Sequence, residues 1–397
     1  MSECTARIRT ALATVVVAVV VLGGCDWAQI GFGPEAANFN PYEPALTPAS
    51  ASRLAEQWSS PCACDGNRPL VAGDTVYALD APTGASPITV TLRAFAVADG
   101  SPRWSTPLGQ TIDRGVLAAV ANGLVYLVVR PASGNDQLVA VDATSGRVRW
   151  RRTPPTSGTG RVRLDQPVVD GANVFITATA SDATTLSAFD PTGHRAWTVV
   201  PGGQVLAGSN PAAAGQTVYV SSFIGRSHGD VVVLLRGYAE SDGTVVSSVT
   251  IPNTALVQSL AVANDLVYGT FYTAFGRLSN VGTFAIDPNT GAIKWTGELF
   301  TLAVTPGAVL SNNPRSGDLV AHDPITGAPK WTANQTDFAA AASDQLVFFS
   351  GGDIRQLSDG TLVGHVQTAA GAALTQATPS GGRVFATSPS SLYALAP

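Results

Sequence analysis

The stretch A-V-D-A-T-S-G-R-V-R-W at residues 140–150 returns almost intact as A-I-D-P-N-T-G-A-I-K-W at 285–295 and A-H-D-P-I-T-G-A-P-K-W at 321–331. Shortened copies read A-F-D-P-T-G-H-R-A-W at 188–197 and A-D-G-S-P-R-W at 98–104. In each copy a glycine stands four residues before a tryptophan: Gly100 and Trp104, Gly146 and Trp150, Gly193 and Trp197, Gly291 and Trp295, Gly327 and Trp331. Two further units keep the Asp-Gly turn and lose the ring, with Ser247 after Gly243 and Gly364 after Gly360. The local chemistry is that of a β-hairpin. Alternating residues before the Asp form a strand. The Asp carboxylate accepts from turn amides, and Pro presets the first turn position. Gly supplies the positive φ that a tight hairpin needs. The Trp falls on the returning strand, a large flat side chain suited to packing between neighbouring sheets.

A second marker precedes each hairpin, a strand carrying Val and then an aromatic residue. The pairs are Val76-Tyr77, Val125-Tyr126, Val174-Phe175, Val218-Tyr219, Val267-Tyr268, Val347-Phe348 and Val384-Phe385, with Val309-Leu310 in the remaining place. Successive markers lie 49, 49, 44, 49, 42, 38 and 37 residues apart. A period of about 40–50 residues with several short strands per unit is that of a β-propeller blade. Helical periodicity is nearly absent outside the N-terminus; Pro48–Gln57, with Thr47 as a cap, comes closest. There are eight marker strands but seven following hairpins, and the last unit stops at Ser391-Leu392-Tyr393-Ala394-Leu395. The expected fold is therefore all-β, an eight-bladed propeller of four-stranded blades over residues 54–397, about 43 residues per blade. The ring is expected to be closed by Leu54–Trp58, which supplies the missing outer strand and its tryptophan, Trp58.

These residues carry a family resemblance. The A-x-D-x-x-T-G-x-x-x-W pattern resembles the tryptophan-docking motif of the PQQ-like β-propeller repeat family, over about residues 27–397. That family includes quinoprotein alcohol dehydrogenases and the propeller lipoprotein of outer-membrane barrel assembly. The resemblance implies docking roles for Trp58, Trp104, Trp150, Trp197, Trp295 and Trp331. It leaves function open, because the motif builds the scaffold and not a site. The lead-in around Trp27 and Asn40-Pro41-Tyr42-Glu43 is similar to that of such proteins.

The N-terminus reads as an export signal. Arg7 and Arg9 precede an apolar run at 11–22, too short for a comfortable membrane span of about 20 residues. The run ends in Leu22-Gly23-Gly24-Cys25, which resembles a bacterial lipobox. Residues 1–24 are expected to be removed, Cys25 to be lipidated, and residues 25–53 to serve as tether and lead-in segment. The expected location is the cell membrane, lipid-anchored and facing out of the cytoplasm. Asp26 follows the cysteine; in a two-membrane organism an Asp there resembles an inner-membrane retention signal, which counts against a barrel-assembly subunit. Charged residues are only 13% of the 397, against roughly 25% in ordinary globular proteins, and the net charge of −5 argues against nucleic acid as a partner. Two lysines stand against 21 arginines, a coding bias without mechanistic content.

Signals of chemistry are few. Cys62-Ala63-Cys64 is read as a disulfide or a redox pair in an oxidising compartment. It is not the adjacent cysteine pair that the quinoprotein resemblance would imply, and no C-x-x-C-H haem site occurs. His194, His228, His322 and His365 fall in different blades, without a spaced His or Cys partner. Arg147, Arg149, Arg151, Arg152, Arg161 and Arg163 cluster around a loop and read either as an anion patch or as solvated strand and loop. No P-loop, G-x-S-x-G, H-E-x-x-H or EF-hand loop is present. The expectation is a monomeric, non-catalytic binding or assembly scaffold for a protein or peptide, without catalytic residues, metal or cofactor. The alternatives are a PQQ- and calcium-dependent or other redox enzyme, and a subunit of barrel assembly.

Overall fold

A computed structural model describes residues 26–397, except 65, 83–87, 112, 114, 182, 203–209, 226–230, 253, 255, 274–280, 314–315 and 336–339. The signal segment, Cys25 and His228 lie outside the described residues.

Eight antiparallel sheets form the ring, as the repeat predicts. Blade 1 comprises Leu70–Ala72, Thr75–Asp80, Ile88–Ala96 and Pro102–Thr111, from the axis outward. Blade 2 comprises Val116–Ala121, Leu124–Val129, Gln137–Asp142 and Val148–Arg152. Blade 3 has a divided inner strand, Arg163–Leu164 and Val168–Asp170, then Asn173–Ala180, Ala183–Phe189 and Arg195–Val199. Blade 4 comprises Ala212–Ala214, Thr217–Gly225, Val231–Ala239 and Val245–Ile251. Blade 5 comprises Leu256–Ala263, Leu266–Tyr272, Val281–Ile286 and Ile293–Gly297. Blade 6 comprises Phe300–Val304, Val309–Asn313, Asp318–His322 and Pro329–Asn334. Blade 7 comprises Ala340–Ser343, Leu346–Phe349, Asp353–Gln356 and Leu362–His365. Blade 8 comprises Gln376–Ser380, Arg383–Thr387 and Ser391–Ala396, and its outer strand is Ala55–Pro61 from the other end of the chain.

That closure pairs Ala55 with Ala396, Trp58 with Ala394 and Pro61 with Ser391. The N-terminal strand thus completes the last blade, and the ring has no open joint. Because every blade is covered on both faces, strands read as apolar runs instead of alternating; all six residues of Leu124–Val129 are buried. Antiparallel order puts the first-to-second and third-to-fourth strand connections on one face of the ring. The second-to-third and blade-to-blade connections lie on the other.

The repeat's geometry is clearest where blades 1 and 2 meet. The turn amide of Ser145 donates to the Asp142 carboxylate (2.8 Å), which that serine and Arg149 hold down to about 2. Gly146 has φ +72°, and a Cβ there would stand 2.6 Å from the ring of Trp104. Glycine is required twice, for the turn and for the close approach of the neighbouring blade's tryptophan. Trp104 Nε1 then donates to Ala143 O (3.0 Å). Trp58, Trp150, Trp197, Trp295 and Trp331 repeat the bond onto Val97, Pro191, Glu240, Pro324 and Leu357 of the following blade.

The motif's leading alanine is explained only in three dimensions. Tyr126, Ala140 and Trp150 lie in one cross-strand row, so the small residue lets the outer rings meet, with centroids 6.0 Å apart. Tyr268, Ala285 and Trp295 do the same. In blade 7 the corresponding row is Phe348, Ile354 and Gly364. Here the lead-in supplies the cover. The helix Pro48–Ala51, capped by Thr47, lays Ala51 over Gly364, where a Cβ would meet the Ala51 carbonyl at 2.9 Å. The helix is shorter than the Pro48–Gln57 span suggests, because the chain from Ala55 is taken into blade 8.

Candidate functional site

The centre of a propeller is where a ligand would be expected, since all inner strands converge there. In this ring residues 26–43 occupy it as a strap. The strap lies on the face of the first-to-second strand turns and bonds to every blade in turn. Asp26 accepts from Gly73 N (2.6 Å) and Trp27 O from Val71 N (2.9 Å), both of blade 1. In blades 2 and 3, Val120 N donates to Ala28 O (2.6 Å) and Val169 N to Gln29 Oε1 (2.8 Å). Blades 4, 5 and 6 follow, with Ala213 N donating to Pro34 O, Val262 N to Glu35 O and Val304 N to Ala37 O, at 2.7–2.8 Å. Ala342 N of blade 7 donates to Asn38 O (2.8 Å), where Phe39–Asn40 adds a short parallel strand. Blade 8 accepts from Asn40 Nδ2 at Pro379 O (3.1 Å) and from Trp27 N at Ser380 Oγ (3.2 Å).

Within the strap, Tyr42, Phe32 and Trp27 form an aromatic column, with centroids 6.2 and 5.5 Å apart. Trp27 is fully buried, while Tyr42 is 56% exposed at the outer end. Below Trp27 lies the buried guanidinium of Arg68, 5.2 Å from the ring centroid. Arg68 donates to Ala377 O (2.5 Å) and Ala340 O (3.2 Å), at the start of the inner strands of blades 8 and 7. Burial lowers its pKa to about 10, so it stays charged at neutral pH. Arg68 is marked by no sequence motif, and of the strap only Trp27 and Asn40-Pro41-Tyr42-Glu43 stand out in the sequence, as a lead-in whose path it does not give.

The residues singled out from sequence fall elsewhere. Cys62 and Cys64 are joined to each other and buried against Trp58, Phe95 and Phe385, where the chain passes from blade 8 into blade 1. The bond closes a small loop within the segment that leads from the closing strand to the first blade. His194 is exposed beside Asp190 (3.9 Å). His322 stacks on Trp295, and His365 bonds Asp353 (2.7 Å). Of the clustered arginines, Arg149 pairs with Asp142 and Arg161 with the buried Asp136. Arg151 bonds Gln137, and Arg152 bonds Gly193 O and covers Trp150. Those four side chains are committed to the scaffold. An open groove of about 460 Å³ between blades 6 and 7 is lined by Phe39, Thr305, Lys330, Trp331, Asp344 and Leu357, with Lys330 Nζ donating to Gly307 O (2.9 Å).

One electrostatic feature does meet the strap. Burial, then the charge of Asp170 and a hydrogen bond with it, push the Glu240 carboxyl up to about 7. Burial and, after it, Asp170 also raise Glu35 of the strap. A carboxyl raised in the folded state binds its proton more tightly there than in the unfolded chain. Stability is then greatest below the unfolded value of about 4.3 and falls as pH rises to about 7. Glu240→Gln should flatten that fall and stabilise the protein above pH 7. A pH–melting profile identical to that of the wild type would refute the assignment.

A PQQ–calcium centre would need its groups to converge on the axis. The axis is filled by Trp27, Phe32 and Arg68, and the described residues contain no group of three Asp, Glu, His or Cys side chains able to hold a metal. The residues present do not fit that centre.

Comparison with known proteins bears out the resemblance. The family model described as outer membrane protein assembly factor BamB matches residues 89–236, within blades 1–4. No match is found among curated proteins. The crystal structure of BamB from Moraxella catarrhalis is similar at 18% identity and TM-score 0.59, covering 86% of this chain and 99% of that one. The quinohemoprotein alcohol dehydrogenase from Comamonas testosteroni is similar at 12% identity and TM-score 0.63, covering 95% and 81%. Sqt1 from Chaetomium thermophilum, solved bound to the N-terminus of a ribosomal protein, is similar at 12% identity and TM-score 0.53, covering 86% and 99%. At these identities the likeness is one of fold.

Proposed function

We infer that this chain, a β-propeller similar in fold to BamB, is a non-catalytic scaffold that binds or assembles a protein or peptide partner outside the cytoplasm. The observation that carries this reading is the strap. The centre of the ring, where the inner strands converge, is taken up by the chain's own residues 26–43, while the ring remains a rigid frame for surface contacts. The partner-bound Sqt1 propeller and the assembly-factor name of BamB agree with this choice. The protein is held at the membrane by lipid on Cys25 after loss of residues 1–24, and it acts as a monomer. In a two-membrane organism Asp26 counts against a subunit of barrel assembly.

Two experiments test this. Calorimetric titration of PQQ into the calcium-loaded mature chain, alongside a dye-linked oxidation assay, should give neither binding nor turnover. Micromolar binding together with turnover would replace the scaffold by an enzyme. Separately, Cys25→Ser should leave an unprocessed precursor that incorporates no labelled fatty acid. Normal cleavage and acylation of that variant would remove the lipid anchor from the reading.

A further inference from the structure

The axial column ends on a positive charge without a counter-charge among the described residues. Arg68 is 7% exposed, and none of the ion pairs among the described residues includes it. Two backbone carbonyls and a ring face engage only part of a guanidinium that carries five N–H donors. Two neighbouring strap groups are in the same position. Trp27 Nε1 and Gln29 Nε2 are buried donors with no acceptor among the described residues. Buried charges and donors are ordinarily paired, so the centre of the ring is rich in donors and short of acceptors.

Topology says from which side an acceptor could come. Arg68 precedes the inner strand of blade 1, and its carbonyl partners lie at the start of the inner strands of blades 7 and 8. It therefore stands toward the face opposite the strap, whose turns end those strands. The strap and its aromatic column close the other mouth.

We propose that the mouth opposite the strap binds a carboxylate, held by the remaining N–H groups of Arg68 with the indole N–H of Trp27 as second donor. A guanidinium fork matches the two oxygens of a carboxylate in spacing and charge. The carboxylate is either a free small acid or the C-terminus of a polypeptide. The second source rests on the scaffold reading above, and the first does not.

The test follows the indole N–H resonances of the ¹⁵N-labelled mature chain, with that of Trp27 identified by its loss in Trp27→Phe. The titrants are acetate, a short peptide with a free C-terminus and the same peptide amidated. A saturable shift of the Trp27 resonance is expected with acetate or with the free-acid peptide. A free-acid peptide that binds at least tenfold more tightly than both acetate and the amide identifies a polypeptide end as the ligand. Equal affinity of acetate and peptide identifies a free acid. Arg68→Gln should lose the response at least tenfold. Arg68→Lys, which keeps the charge and loses the fork, should weaken it likewise and serves if the glutamine variant does not fold. At constant ionic strength acetate should also raise the melting temperature of the wild type and not that of Arg68→Lys. No saturable shift with any titrant, or an undiminished one in the Arg68 variants, overturns the site.

Discussion

Trp58→Ala is expected to destabilise the ring by about 3–5 kcal/mol, the usual range for truncating a buried tryptophan. The site is unforgiving for three reasons. Trp58 is only 8% exposed. Its Nε1 donates to Val97 O (3.0 Å) of blade 1, and its ring lies where a Cβ on Gly100 would be 2.4 Å away. It also packs against Phe385 of its own blade, with centroids 6.1 Å apart. The loss falls on the seam that joins the two ends of the chain, so its consequences are spatially specific. Hydrogen exchange should rise first along Ala55–Pro61 and its partner Ser391–Ala396, before the middle blades respond. Truncation of Trp150, at an internal seam, should lower stability without that local signature. An unchanged melting curve for Trp58→Ala would mean that the N-terminal strand does not close the ring.

Trp27→Ala should have an effect of similar size, about 3–5 kcal/mol, by a different route. Trp27 is fully buried at the axis, so truncation leaves a cavity between Phe32 and Arg68 and removes the ring face beneath the guanidinium. The closing strand is untouched, and exchange should rise in the strap and the inner strands. Trp27→Phe should recover most of the loss, because the indole Nε1 has no acceptor to forfeit among the described residues. Equal damage from Phe and Ala would show that the N–H contributes to stability through a partner the protein itself does not supply. Scanning calorimetry of both variants distinguishes these outcomes.

The acid and base groups were poor guides, for a physical reason. Arg149, Arg151, Arg152 and Arg161 are close in sequence because a β-hairpin and its following loop bring them so, and each finds a carboxylate, amide or carbonyl on the scaffold. Arg68 carries no such local density and stands alone at the centre. Proximity along the chain signalled groups that serve the scaffold locally and missed the one at the centre. The unit without tryptophan at Gly364 was legible as an irregularity, but what fills it was not. Ala51, more than three hundred residues away in the chain, covers that glycine.

By itself the amino-acid sequence determined the class, the number of blades and the closing strand. Those rest on side chains that must recur at fixed spacing: the turn Asp and Gly, the docking Trp, and the aromatic two strands inward. The tertiary structure alone decided that the centre of the ring is filled. The strap is held chiefly through the main-chain oxygens of Trp27, Ala28, Pro34, Glu35, Ala37 and Asn38, which accept from one inner strand after another. A backbone carbonyl is the same in every residue, so such a path leaves no pattern to read. It exists only once eight blades have been brought round to present their amides to one segment.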